Sequence, residues 1–382
     1  MRGIGVEKAP GEPGEDEWDP RNEEALTRRM KEDIRAKEIK ECNPDNLESI
    51  IERRGRIGHE LFPVSDETRG ELEKVYEAVD PITGGRFELL VCNPKGERGT
   101  VIVNGDFTAD VENRPTREFL AYLADLYPDY KVIFEAPPGY GTDSLKTFAK
   151  TEKKNARTKG AFSIIARPSL RALKSLKLEE DSKPLELGED VVIVGASMGA
   201  HIAVEQALVA EEKDIAIKVK KVVILAGPME KRGTIALTKA FTKDDKLAQE
   251  QIAESPYLQT IIPTQEEKNE KAKRGGIKGM KHMLGYARDL AHSELENGLV
   301  KLALERKGID VDIILGSRDS VANSRTYMRA IERAQEGGGF IGGRTEIGWS
   351  HGTLADIPRR ITSVVPSIGR GGEEKLKELT EI

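Results

Sequence analysis

The sequence predicts an α/β protein with a mostly parallel central sheet and helices on both of its faces. Two observations carry this. From about Leu72 onward, short apolar runs rich in Val and Ile alternate with stretches of helical period, and strands that alternate with helices close into right-handed crossovers. A chain of 382 residues, 38% of them hydrophobic, is also long enough to bury one large core with appendages.

The elements follow in order. The opening "MRGIGVEKAPGEPGEDEWDP" mixes acidic residues with Gly and Pro, a composition expected to stay disordered. From Asn22 to Glu41 charges of both signs surround Leu26, Met30 and Ile34, which share a helical face. Such a helix could clasp the main domain, clasp a second copy of the chain, or remain a solvated arm. "ELEKVYEAVD", "RFELLVCN" and "GTVIVNGDF" then read as three strands separated by turns. "NRPTREFLAYLADLYPD" changes the period: Phe119, Leu120, Leu123 and Leu126 fall on one helical face behind an Asn113 cap, with Pro115 near the first turn. Next come the strand "YKVIFEA", the loop "PPGYGTDS", a helix near Ala161 to Leu176, and the strand "VVIV".

The remainder alternates again. Strand "KKVVILAG" leads into a long insert between Gly227 and Lys307, helical at both ends and polar and glycine-broken in the middle. Strand "VDIILGS", helix "VANSRTYMRAIERAQEG", strand "GRTEIGW" and a last helix complete the pattern. Connections in such folds are short, so an insert of this length reads as a helical lid over the carboxyl ends of the strands, or else as a peripheral decoration. The divisions expected are a charged N-terminal extension over 1–68, a first core part over 69–232, a lid over 233–300 and a second core part over 301–382.

Composition excludes several classes. The formal net charge of -6 comes from 60 basic and 66 acidic residues interspersed along the chain, so a nucleic-acid partner is not expected. No apolar run reaches transmembrane length and no signal-peptide core is seen at the start, which leads us to expect a cytoplasmic protein without a membrane partner. Cys42 and Cys92 make neither a disulfide framework nor a metal cluster, and free buried thiols are the plainer reading.

"VVIVGASMGAHIA", Val191 to Ala203, runs an apolar strand into Gly-Ala-Ser-Met-Gly and then a helix. A serine there is the pattern of a nucleophile on a sharp strand-to-helix turn. Random placement would give roughly 0.15 matches to Gly-x-Ser-x-Gly in such a chain, and Gly348 to Gly352 around Ser350 indeed matches as well. Only Ser197 has the context: a fully apolar strand before it, the small residues Gly195, Gly199 and Ala200 around it, and a helix after it.

A serine needs a general base, and the base needs a third group to fix its tautomer. Of the five histidines, His59 lies in the extension, His201 one turn along the helix that follows Ser197, and His282 and His292 in the insert. His351 alone follows the last predicted strand. "DIILGSRDS" places Asp319 three residues beyond the strand-end Gly316, giving the order Ser197, Asp319, His351.

These motifs, GASMG, "GSRDS", "WSHGTLADIP" and the upstream "VIVNGDF", resemble those of the α/β-hydrolase fold superfamily over about Leu72 to the C-terminus. The resemblance implies a serine hydrolase acting on an ester or related acyl bond; no metal-ligand set or phosphate-binding loop is apparent in the sequence, so no cofactor is expected. It also implies that the Met198 N–H and the Asp106 N–H, or that of Phe107, hold the oxyanion. Asn104-Gly105-Asp106 stands where many relatives have His-Gly-x. "PPGYGTDS" matches a loop that lines the pocket in relatives, His201 matches a packing residue, and Glu230 in "AGPMEKR" stands after the preceding strand, where some relatives carry the acid instead of at Asp319. The expected partner is a small-molecule acyl substrate, with a homo-oligomer through the N-terminal helix or the lid left open. The rival readings are a binding protein on the same fold without turnover, and cofactor-free peroxidation or amide cleavage in the same pocket.

Overall fold

The structure, a computed structural model, describes residues 66–105, 109–136, 161–179, 182–228, 295–306, 308–316, 319–322 and 324–346, with 239–240, 243–244, 246–247 and 290. The expected N-terminal helix, Cys42, the "PPGYGTDS" loop, the polar middle of the insert and the last helix lie outside them.

The described residues form one eight-stranded sheet. Helix α1 (Asp66–Glu71) leads into β1 (Val75–Val79), β2 (Arg86–Cys92) and β3 (Gly99–Asn104). Helix α2 (Arg114–Leu126), β4 (Tyr130–Glu135), α3 (Ala161–Ser175), β5 (Asp190–Ala196), α4 (Gly199–Val209) and β6 (Val219–Leu225) follow. Helix α5 (Leu295–Glu305), β7 (Asp310–Gly316), α6 (Ser324–Glu336) and β8 (Gly342–Glu346) complete the order. The strands lie in the order β1-β2-β4-β3-β5-β6-β7-β8. Strands β3 to β8 are mutually parallel, while β2 runs antiparallel to both β1 and β4.

This order follows from how apolar each strand is. Every residue of β3 and β4 is buried, and so are the last six of β5, as expected of parallel strands covered on both faces. Strand β1, with only Ala78 buried, takes an edge. Side chains alternate across the sheet into two cores. Ile102, Ile133, Ile193, Val222, Ile224, Ile313 and Leu315 meet helices α3, α4, α5 and α6 on one face. Val101, Val103, Phe134, Val192, Val194, Val223 and Ile314 lie on the other, where Phe119, Leu120 and Leu123 of α2 pack. The Asn113 side chain caps α2 by accepting from the Thr116 N–H at 3.4 Å.

One expectation is corrected. "ELEKVYEAVD" does not open as a strand: Asp66–Glu71 is helical and β1 starts only at Val75. Leu72 is buried in the α2-side core, and the Glu71 carboxylate accepts from the Asn93 N–H at 2.8 Å, so the segment is pinned as a helix end before the strand begins. At the other end of the insert, α5 runs continuously across residue 300, and Leu299, Leu302 and Ala303 pack into the core beneath it.

A buried ion pair ties the β1–β2 turn to α3 and to the loop after α4. Arg171 donates from Nε and Nη2 to the two Asp80 carboxylate oxygens at 2.8 Å each and from Nη1 to Asp214 at 2.9 Å. Burial alone would raise the Asp80 carboxyl, but the Arg171 guanidinium, the Thr83 hydroxyl and the Ile82 and Thr83 N–H groups outweigh it and hold it below its usual value. Arg171→Leu strands Asp80 without its partner, and we expect it to lower the unfolding free energy near pH 7 by about 3–5 kcal/mol in urea denaturation. Because the folded pKa of Asp80 is depressed, its contribution is in place above the unfolded value of about 3.9 and is lost as pH falls through the folded one. The gap between wild type and variant should therefore narrow in acid.

Candidate functional site

Strand β5 ends at Ala196, and the chain turns at once into α4. Ser197 takes φ 50°, a left-handed conformation that costs a non-glycine residue of the order of 1–3 kcal/mol. Its surroundings hold it there. The Ser197 N–H donates to the Leu225 carbonyl of β6 at 2.8 Å, and its own carbonyl accepts from the Ala200 N–H at 3.1 Å. Met198 returns to the right-handed region at the N-cap of α4, and its carbonyl accepts from the His201 N–H at 3.1 Å. Both Ser197 and Met198 are buried.

So sharp a turn leaves no room for side chains at two places. A Cβ on Gly195 would stand 2.5 Å from the Gly199 carbonyl oxygen and 2.7 Å from the Ala200 Cα. A Cβ on Gly199 would collide with the carbonyl oxygens of Asn104 and Gly105 at the end of β3. Backbone cannot yield as a flexible side chain can, so Gly199→Ala is expected to cost about 1–3 kcal/mol in denaturant unfolding, through a displaced β3 end.

Asp319 lies three residues past β7. Its N–H donates to the Gly316 carbonyl at 3.1 Å, and its Oδ1 accepts from the Val321 N–H at 2.8 Å and the Ala322 N–H at 2.7 Å. One carboxylate oxygen thus fixes the turn. The start of the insert packs on the same turn: Ser320 Oγ donates to the Ala240 carbonyl at 2.9 Å, and the Ser320 N–H approaches Oδ1 of the buried Asp244.

Ser197 and Asp319 therefore stand at the same edge of the sheet, after β5 and β7, with β6 between them. His351, Asp106, Phe107, Glu230 and Ser350 lie outside the described residues, as does the whole histidine loop. His201 is buried, its ring stacked on Phe162 at 5.0 Å and its Nε2 3.1 Å from the Pro228 carbonyl. Burial pushes its pKa down to about 4, so it is a neutral packing residue at neutral pH. Cys92 is a buried thiol in β2.

A polar cluster behind the turn was not anticipated from sequence. Glu135, the last residue of β4, is 3% exposed. Ser169 Oγ donates to its Oε2 at 2.5 Å, and Gln206 Nε2, 3.4 Å from the same oxygen, donates to Ser169 Oγ at 2.7 Å. Gln206 Oε1 in turn accepts from Asn104 Nδ2 at 2.7 Å. Burial raises the Glu135 carboxyl to about 7 against the pull of the two hydrogen bonds. A lone carboxylate closing the apolar run "YKVIF" was the available signal.

Among the described residues no group of three or more His, Cys, Asp or Glu could hold a metal ion, and no helix is long and apolar enough to cross a membrane.

No protein-family model and no curated protein matches the sequence. Solved structures do. An esterase from a Rhodococcus species is 17% identical, with 77% of this chain and 97% of that one covered and a TM-score of 0.45. A bromoperoxidase from Bacillus anthracis is 14% identical over 77% and 99%, with a TM-score of 0.48. A carboxylesterase from Bacillus subtilis is 11% identical over 83% and 95%, with a TM-score of 0.44. What this chain itself shows is a mostly parallel eight-stranded sheet with helices on both faces and a left-handed serine on the sharp turn from β5 into a buried helix. That architecture is the α/β-hydrolase fold.

Proposed function

We propose that the protein is a serine hydrolase that cleaves a carboxylic ester, or a related acyl bond, through an acyl-enzyme. The observation that carries this is the place of Ser197: a serine at φ 50° on the sharp turn between the end of β5 and the start of α4, where a nucleophile of this fold class stands. In this reading Ser197 attacks the carbonyl, His351 takes its proton and returns it to the leaving group, and Asp319 orients the imidazole and stabilises it when charged. The Met198 N–H, at the start of α4 where a helix has no internal acceptors to offer, and the Asp106 N–H receive the oxyanion. Water then releases the acid. The ends of β5 and β7 are two strand spacings apart, about 10 Å, a gap that a serine, an imidazole and an aspartate can fill together. No cofactor enters this chemistry, and the substrate is a small acyl compound met in the cytoplasm.

Fluorophosphonate labelling with mass-spectrometric mapping, beside a chain-length series of chromogenic esters, tests the reading. Labelled Ser197 and ester turnover are expected; a protein that neither labels nor hydrolyses any ester in the series would be a binding protein instead.

The insert serves as a lid in this proposal. Its start is seated on the Asp319 turn through Ala240 and Asp244, and Leu290 and Leu295 are buried near its end. Replacing only residues 248–289 by a short linker keeps those anchors. We expect it to change the chain-length preference at least tenfold between short and long esters while leaving thermal stability within a few degrees. Unchanged selectivity would make the insert a decoration.

A further inference from the structure

The buried cluster behind the Ser197 turn links four elements at the carboxyl edge of the sheet: Asn104 ends β3, Glu135 ends β4, Ser169 lies on α3 and Gln206 on α4. Its donors run one way. Asn104 Nδ2 gives to Gln206, Gln206 Nε2 gives to Ser169, and Ser169 Oγ gives to Glu135. All four side chains are buried, and an apolar set of similar volume would pack there without the cost of taking a carboxyl group out of water. What the polar set provides is direction. The Asn104 side chain has one orientation that satisfies Gln206. With it held, the main-chain carbonyls of Asn104 and Gly105 rest against the Cα of Gly199, two residues after Ser197. Helix α4 thereby grips the exit of β3 at both ends of a short lever, by Gln206 through a side chain and by Gly199 through direct backbone contact. Misplacement by 1 Å at a reacting centre can cost about 10² in rate.

We infer that Gln206, seated on Ser169 and Glu135, is a positioning residue: it holds the Asn104–Gly105 exit of β3 in register with the Ser197 turn and so sets the rate of acyl transfer without touching substrate. This rests on the serine-hydrolase reading above. The residue that follows Gly105 is the one assigned an oxyanion N–H there, so a slack β3 exit weakens the hold on the transition state more than the hold on the ground state.

The experiment compares wild type with Gln206→Leu, Glu135→Leu and Glu135→Gln on a short chromogenic ester, with inhibition by an alkyl boronic acid as a probe of the tetrahedral state. Gln206→Leu and Glu135→Leu are expected to lower kcat 10- to 100-fold with KM within threefold, and boronate affinity should fall in step with kcat/KM. Glu135→Gln, which still accepts from Ser169, should stay within threefold of wild type. If Gln206→Leu does not fold, Asn104→Leu, which removes the donor to Gln206 without burying a charge, is read in its place. A folded Gln206 or Asn104 variant with wild-type kcat overturns the inference. So does a loss of kcat with boronate affinity intact, or a Glu135→Gln variant as slow as Glu135→Leu. If wild type itself neither hydrolyses nor labels, it is the hydrolase reading that falls, and this inference with it.

Discussion

Ser197→Ala is expected to abolish fluorophosphonate labelling and to reduce ester hydrolysis by at least 10³-fold, with the fold retained. The hydroxyl supplies the covalent bond, and loss of a serine nucleophile costs about 10⁶ in kcat in the best-studied protease case. Retention of the fold follows from the local backbone. The left-handed turn is held by main-chain bonds from the Ser197 N–H to Leu225 and from the Ala200 N–H to Ser197, neither of which uses the side chain. Alanine bears the same φ of 50° at about the same cost as serine, so the thermal midpoint should move by only a few degrees. Intact-mass analysis after labelling is the decisive measurement. A label found on Ser350 in the wild type would sink the assignment outright.

Asp319→Asn carries the second largest effect. Replacing the acid by its amide in a serine protease costs about 10⁴ in kcat, because the histidine takes the wrong tautomer and its charged form loses its partner. A loss of 10² here, about 2.7 kcal/mol of transition-state stabilisation, already identifies the orienting acid. The substitution is mild for the turn: Asn still offers an oxygen to the Val321 and Ala322 N–H groups that Oδ1 accepts from now. Stability should hold while kcat collapses. Near-full activity in Asp319→Asn, with Glu230→Gln inactive, would move the acid to the loop after β6.

The sheet was readable because each of its central strands carries an unbroken apolar run. "GTVIVN", "YKVIFE", "DVVIVGA" and "DVDIILG" need no partner in view to be recognised, and all four are strands. The turn at Ser197 was readable for the same reason, since small residues at 195, 199 and 200 make sense only where two backbones approach. Helix α1 was not, because "DETRGE" has no apolar period and its place is set by contacts of Glu71 and Leu72 with distant residues. Nor was the role of Gln206, which looks like one more polar residue on a helix. Its partners are 37 and 102 residues away in the chain, and only the folded arrangement of β3, α3 and α4 brings them together. Of the proposed triad, Ser197 and Asp319 are placed at one sheet edge, and His351 lies beyond the described residues.

The position of β3 between β4 and β5 has a consequence for how the chain is born. Strand β4 arrives soon after β3 on the ribosome, but β5 starts only at Asp190, 86 residues past Asn104 at the end of β3, so the edge of β3 that β5 covers waits unpaired while the intervening chain is made. At roughly 5–20 residues per second that wait lasts several seconds, ample time for an exposed strand edge to find another nascent chain. Synthesis rate and chaperone supply should therefore affect the yield of soluble protein, and slowed translation before Asp190 should lower it.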